Sequence, residues 1–188
     1  LHIHGDNGWL DRIPAYAKRV VQDDQTKNYT AQFVVDSHYE WQHDDFRAPK
    51  MGELVIYEAH VGMAQEREGV GTYVEFRDEI LPRIKEAGYN AVQLMAVAEH
   101  PYYGSFGYHV SSLFAPSSRF GTADELRSLV DKAHELGIAV IMDLVHAHYV
   151  KNINEGINEL DGSKHHYSKE GDAGYQKYWD SMVFDYGK

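Results

Sequence analysis

A chain of 188 residues with 43% hydrophobic and 25% charged side chains has ordinary globular composition, enough for one domain or a small domain with part of another. Lys and Arg number 18 against 29 Asp and Glu, a net charge of −11 that disfavours nucleic acid and anionic membranes as partners, because both recruit basic side chains. No apolar run reaches the ~18 residues of a membrane-spanning helix, and the absence of cysteine excludes a disulfide framework and thiolate chemistry and is compatible with the cytoplasm.

The chain opens at Leu1 without a basic-plus-apolar leader, and the expectation is a piece of something longer. Residues 1–45 read as strand and turn. Two β-rich runs, 19–22 and 29–35, flank the polar cluster DDQTKN and predict a hairpin. The polar stretch 42–52, with Pro49, reads as a linker. Beyond it the pattern changes. Residues 54–60 form a short apolar strand. Tyr73, Phe76, Ile80, Leu81 and Ile84 recur at helical spacing, so 73–87 reads as an amphipathic helix that Pro82 should kink or shift. Gly88 suits its end, and 90–95 is the next strand. A Gly- and Tyr-rich loop occupies 99–119. Thr122 with Glu125 forms a capping box for a helix running to about Leu136, Gly137 stops it, and 138–143 is a third strand. Residues 149–188 are polar and aromatic with weak periodicity, a long excursion after that strand.

Strand–helix alternation at this spacing predicts an α/β fold with a parallel sheet and right-handed connections. In such folds ligands bind at the carboxyl ends of the strands. The residues there are His60, then Glu99, His100, Tyr108 and His109, then Asp143, His146 and His148. Three readings stand side by side. Asp143, His146 and His148, with Glu99, His100 or His60, could ligate a metal ion in an open site. The same groups could simply cap loop backbone at the sheet end. Or they could line a carbohydrate cleft, in which carboxylates and imidazoles bond hydroxyls and a ring such as Tyr108 stacks on a sugar face. The loop EHPYYGSFGYH, with Gly104 and Gly107 for close backbone approach, carries more tyrosines than a metal site would call for.

The blocks DRIPAY…RVVQD, YEAHVG, LPRIKEAGYNAVQLMAVAEHPYYGSFGYH, SSRFGTADELRSLVDKAHELGI and VIMDLVHAH resemble, in order and over nearly the whole chain, the 1,4-α-glucan branching enzymes of the α-amylase superfamily, glycoside hydrolase family 13. The resemblance implies a partial (β/α)8 TIM barrel, its first three βα units in 46–188, preceded by the C-terminal part of a β-sandwich carbohydrate-binding module of family 48 in 1–45. It implies an α-glucan such as glycogen or amylose as substrate, a retaining double displacement that makes α-1,6 branches, and no metal or other cofactor. Residue by residue, it makes Asp143 a support of the catalytic centre, His148 a hydrogen-bond donor to the glucose at the cleavage subsite and Tyr108 the ring stacked on that glucose. His109 stands where many members have Gln, and His146 matches a variable position. Glu99 and His100 count among the substrate-facing residues. No nucleophile or acid/base carboxylate of the family pattern is matched, and Asp185 is not one on position alone. The chain by itself is therefore expected to be inactive and to associate through open sheet edges. The rival expectations are a related glucan hydrolase, a glucan-binding fragment, or a barrel metallohydrolase built on His146 and His148.

Overall fold

The computed structural model describes residues 1–5, 8–35 and 38–187. In chain order they form β1 (His2–Gly5), β2 (Gly8–Asp11), β3 (Val20–Gln22), β4 (Tyr29–Ala31), β5 (Ile56–Ala59), α1 (Tyr73–Glu75), α2 (Leu81–Glu86), β6 (Ala91–Leu94), β7 (Ala98–Glu99), β8 (Ser112–Pro116), α3 (Ala123–Glu135), β9 (Ala139–Met142), β10 (His148–Val150), β11 (Tyr175–Gln176) and β12 (Ser181–Val183). They gather into two compact units: Val35–Val97 with Ser117–Asp143, and Leu1–Val34 with Ala98–Pro116 and Leu144–Lys188.

The first of these is the expected α/β layer. Strands β5, β6 and β9 pair in parallel in that order, with Ile56, Ala91 and Ala139 in register at one end and Ala59, Leu94 and Met142 at the other. The middle strand reads AVQL, and Ala91, Val92 and Leu94 are fully buried. Such a near-continuous apolar run is what a strand covered on both faces needs. Among the described residues β5 and β9 are each paired on one side only.

The helices start where the sequence places capping boxes. Thr122 Oγ1 accepts from the Glu125 N–H (3.2 Å), and the Glu125 carboxylate accepts from the Thr122 N–H (2.6 Å). Thr72 and Glu75 repeat the motif at α1 (3.1 and 2.8 Å). Arg67 forks onto Glu75 at 2.5 and 2.7 Å, and this hydrogen bonding holds the Glu75 carboxyl at about 2. Pro82 acts as expected, with a defined geometry. In a regular helix its ring would meet the carbonyl of Asp78, and it has no N–H to offer there. The turn before it widens into a π-helical segment, Phe76–Ile80, and the Leu81 N–H donates to the Phe76 carbonyl. The apolar stripe survives: Tyr73, Phe76, Ile80, Leu81 and Ile84 are all buried. Tyr73 donates its N–H to the Phe120 carbonyl at 2.8 Å and meets the Phe120 ring edge-on.

The second unit holds more structure than the sequence shows. The β3–β4 hairpin forms as expected, with Gln22 opposite Tyr29, and Asp23 closes its turn by accepting from the N–H groups of Gln25 and Thr26. The run 29–35 ends as a strand at Ala31, because the segment leading into β3 turns between Pro14 and Ala17 and the last bond between the two is from the Gln32 N–H to the Arg19 carbonyl (3.0 Å). Phe33 is 94% exposed. A further hairpin joins β1 to β2, an antiparallel ribbon pairs β7 with β8, and β10, β12 and β11 form an antiparallel sheet in that order. Two apolar clusters fill this unit, one around Val20 and Ala115, the other around Val110, Tyr149 and Ile157. Among the described residues no helix is long and apolar enough to cross a membrane.

One buried charge explains why the polar stretch expected to be a linker is not loose at its start. Asp131 of α3 is 4% exposed. Its carboxylate accepts from the Tyr39 hydroxyl (3.1 Å) and from the N–H groups of Gln42 and His43 (3.0 Å each), and meets His43 Nδ1 at 3.2 Å. Burial pushes this carboxyl up, but the hydrogen bonds outweigh it and the group stays below its ordinary value. Asp131→Ala is expected to lower stability by roughly 1–2 kcal/mol, since it leaves several part-buried donors without their acceptor. The contribution is present above about pH 4 and is lost as acid protonates the carboxylate. Denaturant melts of both forms at pH 7 check this, and equal midpoints would remove Asp131 as the anchor.

Candidate functional site

The polar groups at the strand ends fall in both compact units. In the parallel-sheet unit, Asp143 directly follows β9, half-buried, and its N–H donates to the Leu94 carbonyl at 3.2 Å. His60 follows β5, is 7% exposed and lies edge-on to Phe120 at 5.5 Å. Burial there pushes the imidazole below its ordinary 6.5.

In the other unit the β7–β8 ribbon carries the Gly- and Tyr-rich loop. Glu99 and His100 are buried inside it. The Glu99 carboxylate accepts from the His100 N–H (3.2 Å), the Glu99 carbonyl accepts from the N–H and hydroxyl of Ser111 (2.8 and 3.1 Å), and His100 Nδ1 donates to the Ala98 carbonyl (2.8 Å). These contacts brace the ribbon. At its tip a short 3₁₀ turn, Tyr103–Ser105, gives way to Phe106 and Gly107, both left-handed (φ 55° and 90°). This region is uncommon for a residue with a side chain such as Phe106 and unstrained for Gly107, which has none. The reversal is closed by the Tyr108 N–H donating to the Ser105 carbonyl (3.0 Å). Tyr108 and His109 follow, both half-buried.

His148, the first residue of β10, meets them. The His109 ring lies perpendicular to it at 6.2 Å, and the Trp179 ring lies on another side at 5.1 Å, tilted by 42°. Burial pushes the His148 imidazole down, a hydrogen bond to the Tyr108 backbone draws it partly back, and His109 pushes it down again. The net effect is a neutral ring at neutral pH. Its Nδ1 is buried and has no hydrogen-bond partner among the described residues. A neutral imidazole can both donate and accept, which suits a hydroxyl ligand.

Tyr108, His109 and His148 are thus brought together. Glu99 and His100 lie within the same ribbon but buried, and His146 is exposed, its backbone carbonyl accepting from the Tyr186 hydroxyl. Among the described residues no group of three or more His, Asp or Glu side chains could hold a metal ion, so the metal reading finds no ligand set there. Trp179 was missed by sequence reasoning. Strands of two and three residues flank it, too short for any alternation to mark the turn between them.

The model of the alpha amylase catalytic domain family matches residues 68–178. The 1,4-alpha-glucan-branching enzyme 2-2 of Arabidopsis thaliana is 50% identical over 96% of this chain and 23% of its own length. The 1,4-alpha-glucan-branching enzyme of Dictyostelium discoideum is 49% identical over 96% and 27%. The chain therefore spans about a quarter of the length of the curated relatives it matches. In fold it is similar to a pullulanase of Paenibacillus barengoltzii, with a TM-score of 0.71 at 19% identity over 93% of this chain and 32% of that one.

Burial pushes His60, His134 and His148 all below their ordinary 6.5. The unfolded chain binds protons near that pH that the folded chain refuses, so stability is full above about pH 7 and falls as the pH drops through about 6.5. The unfolding midpoint is expected to be lower at pH 5.5 than at pH 7.5, with a smaller drop for His148→Gln. A midpoint that rises on acidification would contradict the burial of these rings.

Proposed function

The chain belongs to the alpha-amylase catalytic-domain family, and from that premise we propose that it is part of a 1,4-α-glucan branching enzyme. Such an enzyme cleaves an α-1,4 bond of a glucan and passes the released chain to a 6-hydroxyl, forming an α-1,6 branch. The observation that carries this reading is the 49–50% identity to proteins named as branching enzymes over 96% of the chain. The local geometry supports it. A neutral imidazole, a tyrosine and a second imidazole meet at one loop end, the complement of an uncharged, hydroxyl-rich ligand.

On this reading, residues 46–188 are the first part of the barrel and 1–45 the end of a family-48-type carbohydrate-binding β-sandwich. Tyr108 stacks on the glucose at the cleavage subsite, and His148 bonds one of its hydroxyls. Asp143 is a supporting residue of the catalytic centre that acts in the transition state. His109 sets the surroundings of His148, while Glu99 and His100 hold the ribbon that presents Tyr108. The reaction is a retaining double displacement through a covalent glycosyl-enzyme, with a glucan 6-hydroxyl in place of water as acceptor. Its nucleophile and acid/base belong to residues outside this chain, so the chain alone forms no branches. Its β5 and β9 edges favour association.

The test uses the full-length protein on amylose, read by iodine staining and by debranching of the product. New α-1,6 linkages are expected. In that protein Asp143→Ala should lower kcat on the order of 100-fold with little change in KM, since a group acting on the transition state alone moves turnover and not ground-state binding. Reducing ends without α-1,6 linkages would make the protein a hydrolase. Unchanged kcat in the variant would remove Asp143 from the catalytic centre.

A further inference from the structure

Trp179 stands on the four-residue turn that joins β11 to β12, between Gln176 and Ser181, which pair across the hairpin. Exposure alone assigns it nothing, because Trp9 and Trp41 are exposed too. Trp9 is stacked flat on His2 at 4.5 Å and Trp41 lies edge-on to Tyr39, far in sequence from Tyr108, His109 and His148. Trp179 differs in its place and in how it is held.

Its place is beside His148, with ring centroids 5.1 Å apart and planes tilted by 42°. The indole therefore touches the imidazole without being covered by it and remains 55% exposed. A tryptophan that serves packing alone is highly buried on average. The turn that holds it is fastened at several points. The Trp179 N–H donates to the Gln176 carbonyl (3.3 Å), and the Tyr178 N–H donates to the Gln176 side chain (3.3 Å). Asp180 sits in the left-handed region at φ 49°, tolerable for Asp but uncommon. Its carboxylate accepts from the Tyr175 hydroxyl and from Lys151 Nζ at 2.7 Å. Lys151 directly follows β10, the strand that begins with His148, and Val150 of β10 pairs with Ser181 of β12. The same strand pair thus fixes both rings, and the ion pair locks the turn against it. Sparsely populated backbone geometry held by surrounding contacts is found at ligand-gripping positions.

We propose that Trp179 is a sugar-stacking residue of this protein: its indole binds a glucose ring of the α-glucan in the subsite next to the one that His148 contacts. The assignment rests on the branching reading for the identity of the glucan, and on the His148–Trp179 geometry for the place. An indole offers a broad apolar face to the C–H face of a pyranose, and its N–H at the edge can bond a hydroxyl. A rigid turn is the useful support, since little side-chain freedom is left to lose when the sugar arrives. The Asp180–Lys151–Tyr175 contacts are positioning contacts that keep the ring in place.

The test compares the full-length protein with its Trp179→Ala and Trp179→Phe variants. Maltoheptaose affinity is read by calorimetry, and branching of amylose by kcat and KM separately. Trp179→Ala is expected to weaken maltoheptaose binding and raise KM about tenfold, the effect of losing roughly one good aromatic contact. Its kcat should stay within about threefold, and Trp179→Phe should recover most of the affinity, because a smaller ring still stacks. Unchanged affinity in Trp179→Ala overturns the assignment. So does a fall in kcat and melting temperature at constant KM, which would make Trp179 a prop for His148. If the wild type binds maltoheptaose in a Trp179-dependent way but forms no α-1,6 linkages, the branching reading fails and the stacking assignment stands. If the wild type binds no maltoheptaose at all, the stacking assignment fails.

Discussion

The parallel pairing of β5, β6 and β9 is the constraint from which the rest of the layout follows. Parallel neighbours cannot be joined by a tight turn, so each pair demands a crossover, and here each crossover is a helix. That forces a division of labour between the connections. The returns from helix to strand are short, with Gly88 and Gly137 at positive φ (88° and 72°) reversing the chain in the conformation a glycine adopts at least cost. The connections that leave the strands are free to grow. One runs from β6 through the ribbon of Tyr108 to α3, and the other leaves β9 for His148 and Trp179.

This layout was legible in the sequence where local signals were strong. The three strands appeared because LVIYEAH, AVQL and AVIM are short runs rich in apolar residues, the last two each preceded by a glycine turn. The start of α3 appeared because Thr122 with Glu125 three residues on satisfies two backbone donors at once. The irregularity at Pro82 appeared because a missing N–H can be read from composition. Its form as a π-turn could not, since that depends on keeping Tyr73, Phe76, Ile80, Leu81 and Ile84 buried together. The ribbon and the β10–β12–β11 sheet were invisible for a different reason. Their strands are two to five residues long, and outside the β11–β12 hairpin they are held by partners far away in the chain, which no local window contains.

The site residues divide in the same way. Tyr108 and His148 could be singled out because they sit next to recognisable strands and in a distinctive loop. Glu99 and His100 were singled out for their chemistry. Their burial goes with the ribbon's own hydrogen bonds, in which the Glu99 carboxylate accepts from the His100 N–H, the Ala98 carbonyl from His100 Nδ1 and the Glu99 carbonyl from the Ser111 hydroxyl. A polar residue type in a loop therefore says little about which way it faces. Burial decides, and burial depends on pairing that the sequence does not display.

The electrostatics complete the argument for an uncharged ligand. The chain carries −11 overall, yet the imidazole of His148 is not a cation at neutral pH. Burial holds the imidazole uncharged at neutral pH, and its companions are a second imidazole, a phenol and an indole. A site meant for phosphate or carboxylate would place Arg or Lys there, because a desolvated anion needs a full countercharge. The nearest lysine of that strand pair, Lys151, is already engaged by Asp180 and serves the turn. What is left is a set of groups that bond hydroxyls and cover apolar ring faces, the chemistry that the proposed α-glucan calls for.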